Sequence, residues 1–156
     1  MEQTEKLDFL IQSLVKLSRM ESGIIAVHSE DTTIKQMLES IQQQFNVKVR
    51  EKNITLSLCD TDLHVRCDSK WTVEALGNIV DNAIKYTACG GNVQIKVEQY
   101  SFFVKIDIID DGIGIEKEEI PKIFGRFYRS LSVADQPGVG IGLFLTREII
   151  QAQKGI

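Results

Sequence analysis

The middle of the chain reads Asn78-Ile79-Val80-Asp81-Asn82-Ala83-Ile84-Lys85-Tyr86-Thr87. Within it, Asn78, Asn82 and Lys85 are spaced i, i+4 and i+7, so they share one face of a helix that the pattern predicts up to about Thr87. A carboxamide oxygen is a neutral, hard ligand that suits magnesium, and a lysine one turn further on can contact phosphate. Taken alone, the stretch is better explained as a solvated helix face with ordinary polar residues.

A carboxylate and two glycines stand where a later apolar strand ends, in Ile108-Ile109-Asp110-Asp111-Gly112-Ile113-Gly114-Ile115. Glycine at such a place lets the backbone turn sharply or approach a ligand closely. A carboxylate at a strand end can accept a hydrogen bond from an exocyclic amine such as that of adenine. A tight surface turn is the alternative explanation.

A second glycine-rich segment, Gly138-Val139-Gly140-Ile141-Gly142-Leu143, leads into a final helix predicted from Gly140 to about Gln153. Backbone N–H groups and a helix N-terminus in this arrangement can hold phosphate. The segment differs from the G-x-G-x-x-G dinucleotide motif because its third glycine comes too early and no βαβ unit is predicted.

An aromatic and basic segment lies between the two glycine segments and reads Ile123-Phe124-Gly125-Arg126-Phe127-Tyr128-Arg129-Ser130. The polar stretch that follows, from Leu131 to Pro137, is predicted to be a mobile lid. Arg126 and Arg129, which precede the lid, are three residues apart and can meet phosphate oxygens. Phe124 and Phe127 are expected to anchor the base of the lid in the core. Each of these residues on its own is more typical of surface charge or core filling.

Apolar periodicity predicts an α+β fold, in which a two-layer sandwich places helices on one face of a mixed, mostly antiparallel sheet. A helix from Glu5 to about Met20 carries leucines on a and d positions, which suits either a partner helix or packing on its own domain. A strand is predicted at Ile24–His28, followed by a helix from Thr32 to about Glu51 that is capped by Asp31 or Thr32. A hairpin is predicted from Ile54–Leu58 and Leu63–Cys67. A further helix begins at Asp68 or Ser69, and two strands follow at Val93–Tyr100 and Phe103–Ile109.

Composition excludes several classes of function. The net charge of -4 provides no basic footprint, so nucleic acid is not expected as a partner. The three cysteines are odd in number and lack C-x-x-C spacing, which indicates neither a zinc site nor a disulfide framework. No apolar run approaches the roughly 20 residues that a membrane span needs, and the first residues do not read as a secretory signal.

Taken together and in order, the four segments resemble the histidine-kinase branch of the GHKL ATPase superfamily, whose Bergerat-type fold binds ATP and Mg²⁺. The family's N, G1, F and G2 boxes are matched here by Asn78 to Thr87, Asp110 to Ile115, Phe124 to Arg129 and Gly138 to Leu143. Four boxes in the right order outweigh any one of them. The resemblance therefore implies an ATP-binding kinase domain.

The resemblance also implies roles for individual residues. Asn82 is the expected magnesium ligand, Lys85 the phosphate contact, Tyr86 the contact to base or sugar, and Asp110 the partner of the adenine amino group. Arg126 or Arg129 is the expected contact to the γ-phosphate, and Asn78 is an expected catalytic residue. The residues expected to bind the nucleotide through their backbone are Gly112, Gly114, Gly138, Gly140, Gly142 and Leu143.

The start of the chain resembles another part of the same family. Leu14-Val15-Lys16-Leu17-Ser18-Arg19-Met20-Glu21-Ser22-Gly23 looks like the end of the second helix of the dimerisation and histidine-phosphotransfer hairpin. Residues 1–23 are thus assigned to that hairpin and residues 24–156 to the ATP-binding domain. The implied partners are a histidine-bearing hairpin and a response regulator, and the implied parent is a membrane-bound homodimer with this domain in the cytoplasm.

Two departures from the family pattern lead to expectations. The phosphoacceptor helix with its His-Glu motif is missing, and His28 and His64 fall in a predicted strand and hairpin, so the chain is expected not to phosphorylate itself. The family continues beyond Ile156 with strands that complete the sheet and the adenine pocket. We therefore expect weakened ATP affinity and association through an open sheet edge.

Three other functions are compatible with parts of the pattern. An ATP-driven conformational clamp of the same superfamily usually carries an acidic general base where this sequence has Asn78, and an amide cannot take a proton from water at neutral pH. A non-enzymatic fragment that binds nucleotide or dimerises without turnover is also compatible with the sequence, because the phosphoacceptor helix and the last strands of the family pattern are missing from it. An anti-sigma-factor-like serine kinase is disfavoured by the segment from Leu17 to Gly23.

Overall fold

The structure is a computed structural model that describes residues 2–22, 26–133, 135–136 and 138–155. Within these described residues, four α-helices and five strands form an α+β fold, as predicted. In chain order the elements are α1 (Glu2–Glu21), β1 (Glu30–Thr33), α2 (Ile34–Glu51), β2 (Thr55–Leu58), β3 (His64–Cys67), α3 (Ser69–Tyr86), β4 (Asn92–Gln99), β5 (Val104–Asp110), a 3₁₀ turn (Leu131–Val133) and α4 (Gly142–Ala152).

The described strands form two sheets with both parallel and antiparallel pairs. A three-stranded sheet has the order β2-β4-β5, in which β2 pairs with β4 in parallel and β4 pairs with β5 antiparallel. The strands β1 and β3 form a separate antiparallel pair. Along β4, Val93 and Ile95 are buried against the helices while Gln94 and Lys96 face solvent. This alternation confirms that helices cover one face of the sheet.

The predicted hairpin of Ile54–Leu58 with Leu63–Cys67 is wrong. The two strands β2 and β3 belong to different sheets, because β2 lies beside β4 and β3 lies beside β1. Period-two alternation identifies a strand without identifying its partner. The connection also carries no Asn-Gly or Gly-containing turn; instead, the Thr61 hydroxyl accepts a hydrogen bond from the Leu63 N–H at 3.2 Å.

The predicted strand Ile24–His28 is also wrong for the residues that can be compared. Residues 24 and 25 lie outside the described residues, and residues 26–28 are not in a strand. The backbone N–H of His28 donates to a carboxylate oxygen of Asp68 at 2.9 Å instead of pairing with a strand. The strand begins at Glu30, where β3 supplies a partner for each residue up to Thr33.

Helices α2 and α3 build the main core against the sheet. The other carboxylate oxygen of Asp68 accepts from the Trp71 N–H at 3.1 Å, so Asp68 is the N-cap that starts α3, a contact worth about 1 kcal/mol. The predicted cap of α2 is shifted by one residue, to Thr33. The buried core residues on these elements are Ile34, Met37, Leu38, Ile41, Phe45, Leu76, Val80, Ala83, Ile84, Val93 and Ile95.

A second apolar cluster joins α1 and α4 to the outer side of α3. Leu17 is buried in it, and Leu10 packs against it, so half of the leucine seam faces the chain's own domain. The other half, Leu7 and Leu14, is 57% and 46% exposed. Half of the seam therefore packs on the chain's own domain, and a partner helix for the exposed half stays a prediction. Among the described residues, no helix is both long enough and apolar enough to cross a membrane.

Candidate functional site

Helix α3 presents the polar face that the sequence predicts. Its apolar side, with Val80, Ala83 and Ile84, is buried in the main core, which turns Asn78, Asn82 and Lys85 outward as half-buried side chains. The Nδ2 atom of Asn78 is buried and has no hydrogen-bond partner among the described residues. A buried amide without a partner costs about 1–3 kcal/mol, so this atom is well suited to meet a polar ligand.

The start of α4 lies directly against Asn78. A Cβ atom placed on Gly142 would sit 3.7 Å from the Cβ of Asn78, within ordinary contact distance. The Thr146 hydroxyl, one turn further along α4, donates to the Ala75 carbonyl at 3.2 Å and ties the two helices together. Ile141, at the N-cap of α4, provides no side-chain acceptor for the N–H groups of the first turn, which includes the half-buried Leu143. Those N–H groups can serve an anionic ligand.

The side chain of Lys85 reaches the second glycine segment. Its ammonium lies 4.9 Å from the ring centroid of Tyr86 and 2.8 Å from the point that a Cβ on Gly138 would occupy. Any side chain at position 138 would therefore displace the ammonium. Because position 138 carries no side chain, the ammonium can lie against this backbone and brings a positive charge to the second glycine segment, where a phosphate can be held.

The first glycine segment is seated on the last turn of α3. A Cβ on Gly112 would lie 2.7 Å from the Tyr86 carbonyl oxygen and 2.7 Å from a carboxylate oxygen of Asp110, so only glycine fits there. The Gly112 N–H donates to that same Asp110 oxygen at 2.9 Å. Gly114, with φ of +74°, has no atom within 4 Å of a built Cβ and lies in open space.

The two neighbouring aspartates have different surroundings. The Asp111 carboxylate accepts hydrogen bonds from the backbone and the side chain of Asn92, which lower the pKa of Asp111 below its ordinary value. Asp111 is thus occupied in joining the G1 segment to β4. Asp110 ends β5 with its side chain exposed, which leaves it as the carboxylate of this pair that can meet a ligand.

The arginine segment contacts both α4 and the lid. The guanidinium carbon of Arg126 lies 4.6 Å from the ring centroid of Phe144 on α4. Arg129 donates through Nη2 to the carbonyl of Val133 at 3.2 Å and to the carbonyl of Gln136. In this structure Arg129 therefore holds the described part of the lid, and the phosphate role of either arginine stays a prediction.

The expectation that Phe127 anchors the lid in the core is wrong. Phe127 has a φ of +60° and is 53% exposed, because the left-handed turn directs its side chain outward. Phe124 is half-buried. The turn is closed instead from the G2 side, where a Cβ on Gly140 would lie 2.5 Å from the Tyr128 carbonyl oxygen; with its φ of +77°, position 140 requires glycine.

Glu119, which fixes the base of the lid, was not predicted from the sequence. Its carboxylate accepts hydrogen bonds from the Tyr128 hydroxyl at 3.0 Å and from the Ser130 hydroxyl at 2.8 Å. Both contacts join residues that are about ten positions apart on an irregular segment. No periodicity marks such a pair, so the sequence offered no signal for it.

The four segments therefore meet on one side of α3. Amide groups, an ammonium and a glycine-lined backbone converge there, and this set of donors suits the phosphates of a nucleotide. The buried Nδ2 of Asn78 and the Lys85 ammonium beside Gly138 are donors that fit the phosphate oxygens of such a ligand. The oxygen of Asn82 is a suitable donor for Mg²⁺.

Comparison with known proteins identifies the family of the chain. Residues 67–155 match the family described as histidine kinase-, DNA gyrase B-, and HSP90-like ATPases. The chain is 28% identical over 151 residues to the sensor protein kinase PmrB of Pseudomonas aeruginosa, covering 97% of this chain and 32% of that protein. It is 32% identical over 158 residues to the sensor histidine kinase WalK of Bacillus subtilis, covering 98% of this chain and 26% of WalK. The chain thus spans about a third or less of these relatives.

Solved structures of histidine kinases share the fold. The histidine kinase AdeS of Acinetobacter baumannii superposes with a TM-score of 0.80 at 27% identity, covering 96% of this chain and 69% of that one. The catalytic domain of the histidine kinase ThkA superposes with a TM-score of 0.71 at 26% identity, covering 81% of this chain and 82% of that one. Because the family match takes in more than half of the residues, the chain belongs to the histidine kinase-, DNA gyrase B-, and HSP90-like ATPases and resembles the catalytic domains of sensor histidine kinases.

Proposed function

We propose that this chain binds ATP with Mg²⁺ and that, in the full-length protein, it transfers the γ-phosphoryl group to a histidine in two-component signalling. The observation that carries the proposal is the convergence of α3 with both glycine segments, seen in the approach of Lys85 to Gly138 and of Asn78 to Gly142. The family match supports ATP as the ligand.

Each side of the site has a distinct task in this proposal. Asp110 accepts from the adenine amino group, and Tyr86 lies against the base or sugar. Lys85 and the N–H groups of the G2 segment hold the phosphates, and Asn82 holds Mg²⁺, which supplies neutralisation of phosphate charge when bound. Arg126 or Arg129 reaches the γ-phosphate from the lid side. Catalysis then consists of positioning and charge neutralisation.

The nucleophile has to come from another segment or chain. Asn78 has no titratable group and cannot take a proton from water at neutral pH, which disfavours the hydrolysis used by ATP-driven clamps. Of the two histidines, His64 lies on β3 with its ring nitrogen 2.8 Å from Asp31, and His28 lies beside the N-cap of α3. Neither is on a helix, so a histidine-bearing hairpin and a response regulator are the proposed partners. The structure of ThkA with its response regulator TrrA concerns a protein of the same fold.

The exposed half of the α1 seam supports the proposal of a homodimeric parent, which is also proposed to be membrane-anchored. Leu7, Ile11 and Leu14 lie on one stripe and are each about half exposed in the chain. A stripe at this spacing suits a second helix of a dimerisation hairpin. The partner helix is therefore proposed to lie on the side of α1 that faces away from the ATP-binding domain.

Calorimetric titration with ATP and with a non-hydrolysable analogue, with and without Mg²⁺, tests the binding proposal. Saturable binding that needs Mg²⁺ and that Asn82→Ala abolishes is expected. Gln94→Ala is the matched amide control, because Gln94 lies on the solvent face of β4. Absence of binding by the folded chain, or equal loss in both variants, would contradict the proposed site. Phosphotransfer is then measured with radiolabelled ATP and an added histidine hairpin.

A further inference from the structure

Lys52 lies outside all four boxes, yet it contacts the end of the helix that carries the site. Its ammonium donates to the carbonyl oxygens of Ile84 at 2.8 Å and Lys85 at 2.7 Å. These are among the last carbonyls of α3, which have no partner within the helix. The same two residues precede Tyr86, so the contact is made at the turn from which the Lys85 and Tyr86 side chains project.

The backbone of Lys52 holds the other end of the same connection. Its carbonyl oxygen accepts a hydrogen bond from the Gly90 N–H at 3.2 Å. Side chain and backbone of one residue thus fix the chain on both sides of the residues that follow α3. Gly91, which follows Gly90, continues this attachment. Its carbonyl oxygen accepts a hydrogen bond at 2.9 Å from the N–H of Thr55, the first residue of β2.

The end of α2 is built to place Lys52 at this position. The N–H of Lys52 donates to the Lys48 carbonyl at 3.2 Å, and the N–H of Ile54 donates to the Val49 carbonyl at 2.9 Å. Between them Asn53 adopts a φ of +52°, a conformation that asparagine tolerates better than most residues. This cap stops α2 and turns the half-buried lysine toward α3.

Electrostatics give the contact a second consequence. A helix C-terminus carries a partial negative charge of about half an elementary charge, which disfavours a nearby anion. The proposed phosphates lie beside Lys85, at this end of α3. A cation bonded to the terminal carbonyls offsets the dipole where the nucleotide binds.

We propose that Lys52 is a positioning residue of the nucleotide site. It fixes the last turn of α3 so that Lys85 and Tyr86 face the ligand, and it acts through these residues without touching the nucleotide. The proposal rests on the proposed function for the identity of the ligand. A lysine that served only as a helix cap would change stability and leave nucleotide affinity of the folded chain unaltered.

Three substitutions separate the two roles. Lys52→Met removes both hydrogen bonds and the charge, whereas Lys52→Arg keeps a donor and the charge. Lys52→Gln keeps a donor group without the charge, and it is used in place of Lys52→Met if that variant does not fold. Lys48→Met is the matched control, because Lys48 also joins α2 to α3, through a 2.5 Å contact to Asp81 between side chains that are 58% and 44% exposed. Exposed pairs of this kind contribute little.

Calorimetry on the full chain measures the dissociation constant for ATP with Mg²⁺. NMR on the same chain without nucleotide measures the chemical shifts of the backbone amides of residues 84–90. Lys52→Met or Lys52→Gln is expected to weaken binding about tenfold and to shift these amides, while Lys52→Arg stays within about threefold and Lys48→Met matches the unsubstituted chain. Unchanged amide shifts in a folded Lys52→Met chain would overturn the positioning role, and so would unchanged affinity. Should the unsubstituted chain not bind ATP, the proposed function fails while the amide shifts still decide what Lys52 holds.

Discussion

Asp111 is bound twice by Asn92: its carboxylate accepts one hydrogen bond from the Asn92 N–H and one from the Asn92 side-chain amide, each at 2.9 Å. These bonds hold the pKa of Asp111 below its ordinary value of 3.8. A group with a lowered folded-state pKa stabilises the fold above the unfolded pKa and loses that contribution as the pH falls through the folded pKa.

The pH dependence of unfolding should therefore separate the unsubstituted chain from Asn92→Ala. We expect a constant difference in the free energy of unfolding between the two above about pH 5, and a difference that shrinks as the pH falls below the ordinary Asp value. Denaturant titrations at several pH values measure it. A difference that grows on acidification would contradict the assignment.

Substitution of each aspartate in turn tests their division of tasks. Asp110→Asn is expected to weaken ATP binding by about tenfold or more with little change in stability, because a charge-assisted hydrogen bond contributes about 1.5–3 kcal/mol. Asp111→Asn should lower the melting temperature more than Asp110→Asn does, since it disrupts the link to Asn92. Calorimetry and thermal unfolding on both variants decide the matter, and reversed effects would exchange the two roles.

Gly138→Ala tests the approach of Lys85 to the second glycine segment. The added methyl group would meet the ammonium, which lies 2.8 Å from its position, and the flexible lysine would move away from the phosphates. We expect a loss of ATP affinity of about tenfold with a stability cost of about 1 kcal/mol. Gly90→Ala is the control: φ is positive at both positions, +81° at Gly90 and +150° at Gly138, but a Cβ on Gly90 would meet no described neighbour within 4 Å. Equal affinity in both alanine variants would argue against a role for the contact of Lys85 with Gly138.

Thr87→Val tests a buried hydroxyl group. Thr87 is 1% exposed, and its Oγ1 atom has no hydrogen-bond partner in the part of the chain that the structure describes. Valine has nearly the same shape, and removing an unpaired buried hydroxyl should raise the free energy of unfolding by about 1 kcal/mol. Chemical denaturation measures this change. A destabilised variant would show that the hydroxyl has a partner in solution, and the ATP titration would show whether that partner is the ligand.

Glu119→Ala tests the attachment at the base of the lid. Loss of the bonds from Tyr128 and Ser130 should loosen the segment and speed tryptic cleavage after Arg126 and Arg129 several-fold. The neighbouring Glu118→Ala serves as control because its side chain is exposed. Cleavage rates come from mass spectrometry of timed digests. Identical digestion of both variants would remove Glu119 from the lid.

The helices were predictable from sequence to within a few residues because their buried residues recur at helical spacing, as Ile34, Met37, Leu38 and Ile41 do on α2. The polar face of α3 was predictable for the same reason. Strand pairing was not, since alternation in β2 and β3 contains no information about which strand lies beside which. The contacts of Lys52 and Glu119 join distant or irregular segments through single side chains, and no local pattern marks them.

The parallel pairing of β2 with β4 has a consequence for assembly of the molecule. Parallel neighbours cannot be joined by a tight turn, so the chain leaves the sheet after β2 and returns to it only after α3. The entropy of closing so long a loop has to be overcome before the pair forms, which makes this a slow kind of contact in folding. The helix with Asn78, Asn82 and Lys85 is the crossover of that pair. The polar face of α3 therefore belongs to the segment that has to cross over before β2 and β4 can pair.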